Sequence, residues 1–174
     1  ALLAAGKILD HEIARRQTHG VHRQFHRPVE FPQIGRVDLV LGLSAEVATT
    51  PAVMAEYVVG VAGHGLPANV WDPLSQLTLQ PDEQHVADHL PPRLGRGERS
   101  CIAVAVHRRG LFASDDMKAR LEAQRHGVTV TGTVGILVLN VKLGRLVLKE
   151  GNTLLTGMIA QGYRSSVLAL DELL

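Results

Sequence analysis

Acidic side chains in this sequence stand where the ends of predicted elements could bring them together. Asp115 and Asp116 come directly after the apolar run 111–113, which is typical of a short buried strand. Open α/β sheets bind their ligands beyond the carboxyl ends of the strands. Glu98 falls in the first turn of the helix predicted before that strand, and Glu56 lies inside a helix predicted further upstream. The sequence therefore predicts an acidic site if these four side chains converge.

Converging carboxylates favour one kind of chemistry. They repel one another unless a hard divalent cation neutralises them, and Mg²⁺ or Mn²⁺ is the ion we expect. Such an ion lowers the pKa of a bound water and stabilises charge on a phosphate during hydrolysis. The same residues also allow a structural interpretation, because acids in the first turn of a helix complement its dipole. Glu98 and Asp115 both fit that description, so their spacing leaves both interpretations open.

Composition narrows the class of protein. The chain has 174 residues, 45% of them hydrophobic, which suits a single domain with a substantial core. Only 3% are aromatic, so the core must be built from aliphatic side chains, and aromatic platforms for single-stranded nucleic acid are not expected. The net charge of +1 argues against a chain that coats nucleic acid or membranes through bulk electrostatics.

The single cysteine, Cys101, excludes a disulfide framework and a cysteine-rich zinc site and indicates a cytoplasmic protein. It lies in an apolar run of the helix predicted to carry Glu98, so we expect Cys101 and Val104 to be buried. No uninterrupted apolar stretch reaches the 18 or so residues of a membrane span, and no association with a membrane is expected.

Helices and strands are predicted to alternate from Gly95 onward, which is typical of a parallel sheet flanked by helices. Upstream, Thr50 followed by Pro51 is the pattern of a helix start. We predict strands at 46–49, 111–113 and 128–130, and helices at 51–61, 81–90, 98–109, 115–125 with Ser114 as its N-cap, 132–143, 152–161 and 165–174. Residues 2–16 are predicted as a short helix, residues 15–27 as a basic irregular connector, and residues 35–43 as an amphipathic segment.

Several short patterns fall short of a known site. His11-Glu12 begins like a zinc-protease helix, but Arg15 stands where the second histidine is needed. Gly95 and Gly97 supply two glycines of a dinucleotide fingerprint without the third. A further cluster consists of His19, His22 and His26. It could hold a transition metal, or it could be a solvated basic segment. A third interpretation is that the arginines of this segment contact phosphates.

Beyond these local patterns, three runs in the C-terminal half resemble a poorly characterised branch of the PIN-like nuclease superfamily, relatives of VapC-type toxins. They are LGRGERSCIAVA at 94–105, LFASDDMKAR at 111–120 and VTGTVGIL at 130–137. Upstream, GRVDLV at 35–40 and TPAVMAE at 50–56 are similar to that branch's early segments, so the resemblance covers about residues 34–147. It implies an α/β fold of three layers with a parallel sheet flanked by helices, Mg²⁺ or Mn²⁺, and cleavage of RNA.

The resemblance also implies roles for particular residues. Glu56 corresponds to the acid of the second motif, Glu98 to that of the third and Asp116 to that of the fourth, with Asp115 beside it. All four are then metal ligands, the first three named are catalytic, and two hydroxyls bind substrate, those of Thr133 and Ser114. The first motif is missing, because residues 23–31 contain no Asp and no strand-like run. Either that acid was lost, or it precedes residue 1.

The expected protein is therefore a cytoplasmic, metal-dependent ribonuclease, the toxin of a toxin–antitoxin pair, with an RNA substrate, an antitoxin protein as partner and a homodimeric state. We divide the chain into an atypical N-terminal segment, 1–33, and a PIN-like domain, 34–174. One alternative is a catalytically silent PIN-like protein that binds RNA or a protein partner. Another treats residues 1–20 as a helical DNA-binding or antitoxin-like appendage.

Overall fold

The structure is a computed structural model that describes residues 2–4, 31–32, 34–43, 47–61 and 69–174. Its strands are β1 (Leu2–Ala4), β2 (Val47–Thr49), β3 (Ser75–Gln76), β4 (Leu111–Ala113) and β5 (Val130–Thr131). Its helices are α1 (Asp38–Leu41), α2 (Pro51–Val61), α3 (Pro81–His89), α4 (Arg96–Arg108), α5 (Met117–Arg125), α6 (Thr133–Lys142), α7 (Leu148–Ala160) and a 3₁₀ helix, Leu170–Leu173.

The strands form one sheet in the order β3-β2-β1-β4-β5. The pairs β2–β3 and β4–β5 are parallel, which agrees with the predicted parallel sheet, although the sequence does not predict strand β3 itself. The central strand β1 differs, because it runs antiparallel to both β2 and β4. The other four strands therefore share one direction, and they finish at one end of the sheet, which we call the carboxyl edge. It is marked by the last residues of those strands, Thr49, Gln76, Ala113 and Thr131.

The prediction of a helix at 2–16 is wrong for its first residues, since Leu2–Ala4 is strand β1. The physical reason is backbone hydrogen bonding: β1 lies between β2 and β4 and pairs with their backbone groups, which an interior sheet position cannot leave unsatisfied. The rest of that predicted helix, the basic connector and the histidine cluster lie outside the described residues.

The core lies on both faces of the sheet, because successive residues of a strand point to opposite sides. Phe112 packs into one cluster with Ile102 of α4 and Val130 of β5. Ala113 belongs to another cluster with buried residues such as Leu137 of α6 and Leu155 of α7. This arrangement of helices on both faces confirms the α/β class and the three layers.

The expected burial of Cys101 and Val104 is confirmed, with exposed fractions of 0% and 2%. Phe31, from the segment assigned to 1–33, is also fully buried in the core. The division of the chain at residue 34 stays a prediction. No helix among the described residues is both long enough and apolar enough to span a membrane.

Candidate functional site

Glu56 and Glu98 meet at the start of α4. Glu56 projects from α2, and its Oε1 accepts a hydrogen bond of 3.0 Å from the backbone N–H of Gly97. Glu98 is buried, and its Oε2 accepts a 3.0 Å hydrogen bond from the backbone N–H of Gly95, the N-cap of α4. Both carboxylates therefore satisfy backbone donors at the positive end of the α4 dipole.

Two buried hydroxyls tie the start of α2 to the start of α4. Thr50 Oγ1 and Ser100 Oγ are 2.6 Å apart, and Ser100 donates a 2.8 Å hydrogen bond to the carbonyl of Gly97. Thr50 also serves α2 itself, because its Oγ1 accepts a 3.4 Å hydrogen bond from the N–H of Val53. These contacts hold α2, and with it Glu56, against the first turn of α4.

Gly97 leaves room for the Glu56 carboxylate. A Cβ atom at Gly97 would lie 2.6 Å from Glu56 Oε2 and 2.9 Å from Val53 Cγ2, closer than side-chain atoms approach one another. At Gly95 the same atom would lie 3.2 Å from Glu56 Oε1. Gly97, one of the two glycines that fail as a dinucleotide fingerprint, therefore permits the approach of Glu56 to α4, and Gly95 leaves further room for the same carboxylate.

Asp115 follows β4 at the carboxyl edge and links three segments. Its Oδ1 accepts a 2.9 Å hydrogen bond from the N–H of Thr133, the first residue of α6, and its Oδ2 accepts one of 2.5 Å from the Thr133 hydroxyl. Tyr163, beyond α7, donates its hydroxyl to Asp115 Oδ1 at 3.2 Å. A Cβ atom at Gly132 would lie 2.7 Å from the same Oδ1. Asp115 is thus enclosed by α6 and the C-terminal segment.

Asp116 has a local role in the structure. It is the N-cap of α5, and its Oδ1 accepts a 2.8 Å hydrogen bond from the N–H of Ala119. Ser114, predicted as that cap, instead accepts a 3.1 Å hydrogen bond from the N–H of Asp116. The prediction of Ser114 as the N-cap is therefore wrong, because the turn after β4 continues for two more residues before α5 begins at Met117.

Burial shifts the ionisation of two groups near these acids. Burial, with the charge of Asp115 and the hydrogen bond to it, raises the pKa of Tyr163 far above its ordinary 10.0, so this hydroxyl stays protonated and acts as a donor. Burial likewise raises the pKa of the Cys101 thiol. Cys101 is therefore a core residue, because a nucleophilic thiol needs a lowered pKa and access.

The side chains at these positions can be compared with the ligands that a divalent cation needs. The four acids are oxygen donors, the kind that Mg²⁺ and Mn²⁺ prefer. They lie in two pairs, Glu56 with Glu98 and Asp115 with Asp116, and the part of the chain that the structure describes contains no group of three or more His, Cys, Asp or Glu that could hold a metal ion. The residues thus fit the ion in chemical type but do not form a complete centre, and the expectation that Glu98 and Asp116 share one ion stays a prediction.

Tyr163, Gly97 and Gly132 are site residues that the sequence does not reveal. A glycine beside a carboxylate leaves no sequence pattern when the carboxylate belongs to another element. Tyr163 lies 48 residues from Asp115 along the chain, between the helices predicted at 152–161 and 165–174. One weak signal exists: the chain contains only two tyrosines, so each is a candidate for a specific hydrogen bond.

Three layers and four strands that share one direction define an α/β protein, with acidic side chains at the starts of α4 and α5. A family model, DUF3368, described as a PIN domain, matches residues 29–174, and the chain belongs to this PIN-domain family. PIN domains are nuclease-type domains, so the resemblance found in the sequence is confirmed at the level of the family. The comparisons with curated proteins and with solved structures found no match.

Proposed function

We propose that this chain is a divalent-metal-dependent ribonuclease that uses Glu56, Glu98, Asp115 and Asp116 at its carboxyl edge. The observation that supports it most is the position of Asp115 in a PIN-domain chain. Its carboxylate lies at the end of β4, beside the start of α6, where α/β sheets bind ligands. Glu56 and Glu98 lie at the start of α4, the helix that leads into β4.

The proposed ion is Mg²⁺ or Mn²⁺, and RNA is the proposed substrate. When bound, such an ion supplies an activated water and neutralises charge on the phosphate under attack. The protein's own contribution is to hold the acids: Gly97 and Gly95 hold Glu56 and Glu98, while Thr133 holds Asp115 through its N–H and its hydroxyl. Thr133 and Ser114 are the hydroxyls we propose for substrate contact.

The biological setting is proposed on the resemblance alone. We propose that the chain is the toxin of a toxin–antitoxin pair, with a protein antitoxin as partner, acting in the cytoplasm as a homodimer. Co-expression with proteins encoded beside it, followed by affinity purification and sizing of the complex, tests the partner and the stoichiometry together. Purification as a monomer with no co-purifying protein would contradict this setting without affecting the proposed chemistry.

Cleavage of a mixed RNA substrate tests the proposed activity. We expect the wild-type chain to cut RNA in Mg²⁺ or Mn²⁺, to lose that activity in chelator, and to show a melting temperature that rises with Mn²⁺. Asp116→Asn keeps the side-chain volume and the cap acceptor while removing a charge, so it should remove most cleavage. A wild-type chain without cleavage and without a Mn²⁺-dependent rise in melting temperature would contradict the proposal.

One observation favours the silent alternative, a PIN-domain protein that binds RNA without cutting it. The central strand β1 is Leu2-Leu3-Ala4, and it runs opposite to its neighbours, so its first residue, Leu2, lies beside Ala113 at the carboxyl edge. In the described part of the chain, strand β1 thus contributes the apolar residue Leu2, and not an acid, to the middle of that edge. Binding of labelled RNA in chelator, retained by a wild-type chain that fails to cleave in Mn²⁺, would support this alternative.

A further inference from the structure

We infer that Tyr163 is a positioning residue for Asp115, so that the segment after α7 completes the acidic site. The inference rests on the proposed function, because it concerns one of the acids proposed to act on RNA. The Tyr163 hydroxyl donates to Asp115 Oδ1 at 3.2 Å across 48 residues of sequence. No family assignment or sequence pattern gives this residue a role.

The end of α7 fixes where Tyr163 lies. Gly162 adopts a left-handed conformation with φ +97°, which glycine allows at little steric cost. The N–H of Tyr163 then donates to the carbonyl of Met158 at 3.0 Å, and the N–H of Gly162 donates to Ile159 at 2.9 Å. This is the pattern of a helix C-terminus closed by glycine. These hydrogen bonds fix the backbone of Tyr163, and the fixed backbone places its hydroxyl near Asp115.

The hydrogen bonds to Asp115 come from two separate segments. Thr133 engages both carboxylate oxygens from α6, through its N–H to Oδ1 and its hydroxyl to Oδ2. Tyr163 adds a second donor to Oδ1 from the C-terminal segment. Asp115 lies in the turn between β4 and α5, outside any regular element. These donors orient the carboxylate, and the one from Tyr163 reaches it from beyond α7.

Tyr163→Phe tests this role in the full chain, since it removes the hydroxyl and keeps the ring. We expect the Mn²⁺ dissociation constant, measured by electron paramagnetic resonance of free Mn²⁺, to rise about tenfold, the size of effect typical of lost hydrogen bonds to metal-binding groups. The same substitution in an Asp115→Asn background should change Mn²⁺ affinity no further, because the hydroxyl acts through that carboxylate. An unchanged affinity in the single variant would overturn the inference, and so would an equal loss in both backgrounds.

Asn152→Ala is the matched control. Asn152 on α7 accepts a 2.7 Å hydrogen bond from the N–H of Leu170 and donates one of 2.7 Å to Asp171, so it anchors the same C-terminal segment away from Asp115. This variant should melt at a lower temperature and keep the wild-type Mn²⁺ affinity. If Asn152→Ala weakens Mn²⁺ binding as much as Tyr163→Phe does, the segment acts only through general stability and the inference is overturned.

The outcomes separate this inference from the proposed function. If the wild-type chain binds Mn²⁺ without cutting RNA, while Tyr163→Phe weakens that binding, the ribonuclease proposal fails and the positioning role stands. If the wild-type chain cuts RNA and Tyr163→Phe changes neither Mn²⁺ affinity nor cleavage, the positioning role fails and the ribonuclease proposal stands. A wild-type chain that neither binds Mn²⁺ nor cuts RNA would overturn both.

Discussion

The two pairs of acids lie in different parts of the fold, but each pair contains one acid bound to its own helix and one acid bound to another element. Glu98 and Asp116 each accept a backbone N–H at the start of their own helix, α4 or α5. Glu56 and Asp115 instead reach across to another element, Glu56 from α2 to Gly97 of α4 and Asp115 to Thr133 of α6. We refer to the first two as the capping acids and to the second two as the crossing acids.

This division separates two explanations that are indistinguishable in the sequence. Local helix capping orients the capping acids, whether or not they have a function. It does not account for the crossing acids, whose carboxylates depend on the packing of distant elements and on a neighbouring glycine. The crossing acids are therefore the stronger evidence for a site. Of the two, Asp115 has the more extensive hydrogen bonding, because the side-chain hydroxyls of Thr133 and Tyr163 also donate to it.

The largest expected effect is on RNA cleavage by variants of the crossing acids. Glu56→Gln and Asp115→Asn should each lower kcat/KM by about a hundredfold or more, the loss expected when a charged group is removed from a reacting centre. Cleavage of a fluorescent RNA in Mn²⁺ measures this effect. If both variants retain wild-type cleavage while Glu98→Gln and Asp116→Asn lose it, the capping acids, and not the crossing acids, form the functional site.

Alanine at the glycines beside the crossing acids should destabilise the fold. Gly97→Ala and Gly132→Ala should each lower the free energy of unfolding by about 1 to 3 kcal/mol, as overpacking does. The larger loss is expected at Gly97, because its new Cβ would lie 3.1 Å from the Val53 Cα atom, whereas the nearest backbone atom at Gly132, the Ser114 carbonyl oxygen, would be 3.3 Å away.

Gly157 in α7 provides the control for these glycine substitutions, because nothing lies within 4 Å of the position that its Cβ would take. Gly157→Ala should raise the free energy of unfolding by about 0.5 to 1 kcal/mol through helix propensity. Urea denaturation of the three variants in chelator gives all three values. Stabilisation by Gly97→Ala or Gly132→Ala would show that the carboxylates do not occupy the positions described.

Most helices could be predicted from the sequence because their ends carry local signals. Thr50-Pro51 marks the start of α2, Pro81 marks the start of α3, and both helices begin where predicted. The predicted strand 111–113 is likewise found as β4, since a short apolar run between glycine and polar residues is typical of a buried strand. In these places the propensity of a few neighbouring residues agrees with the tertiary structure.

Prediction from the sequence failed where pairing between distant segments determines the secondary structure. Leu2–Ala4 has a loose helical pattern, but pairing with β2 and β4 makes it a strand. β3 is only Ser75–Gln76, both exposed, so it has no hydrophobic pattern to detect and owes its assignment to parallel pairing with β2. The Asp115–Tyr163 contact is also invisible locally. The sequence therefore identified the acids of the site but not the residues that hold them.

Glu83 is a useful reference, because it caps its own helix and also contacts another helix, but it is not a candidate site residue. It accepts the backbone N–H of Gln80 at the start of α3, and it also pairs with Arg108 of α4 at 2.6 Å. The Arg108 hydrogen bond, more than the remaining contacts, lowers the pKa of Glu83 below its ordinary 4.5. Glu83→Gln should cost about 1 to 2 kcal/mol of stability near pH 7 and leave cleavage unchanged.

The pH dependence of that loss follows from the direction of the pKa shift. A carboxyl with a depressed pKa in the folded state stabilises the protein fully above its unfolded value of about 4.5, and this contribution disappears as the pH falls through the lower, folded pKa. The stability difference between wild type and Glu83→Gln should thus stay constant from pH 7 to about pH 5 and shrink below about 4.5. A difference that grows on acidification would contradict the ion pair with Arg108.

The smallest expected effect distinguishes the cap of Asp116 from its charge. Asp116→Asn should change the free energy of unfolding in chelator by no more than about 0.5 kcal/mol, because Asn is as good an N-cap as Asp. Asp116→Ala should cost about 1 kcal/mol, because the N–H of Ala119 loses its acceptor. Comparing cleavage by the two variants at a temperature where both are folded then isolates the charge. Equal, near-complete loss in both would show that the negative charge is required, whereas wild-type cleavage by Asp116→Asn would leave Asp116 as a cap alone and Asp115 as the acid of that pair.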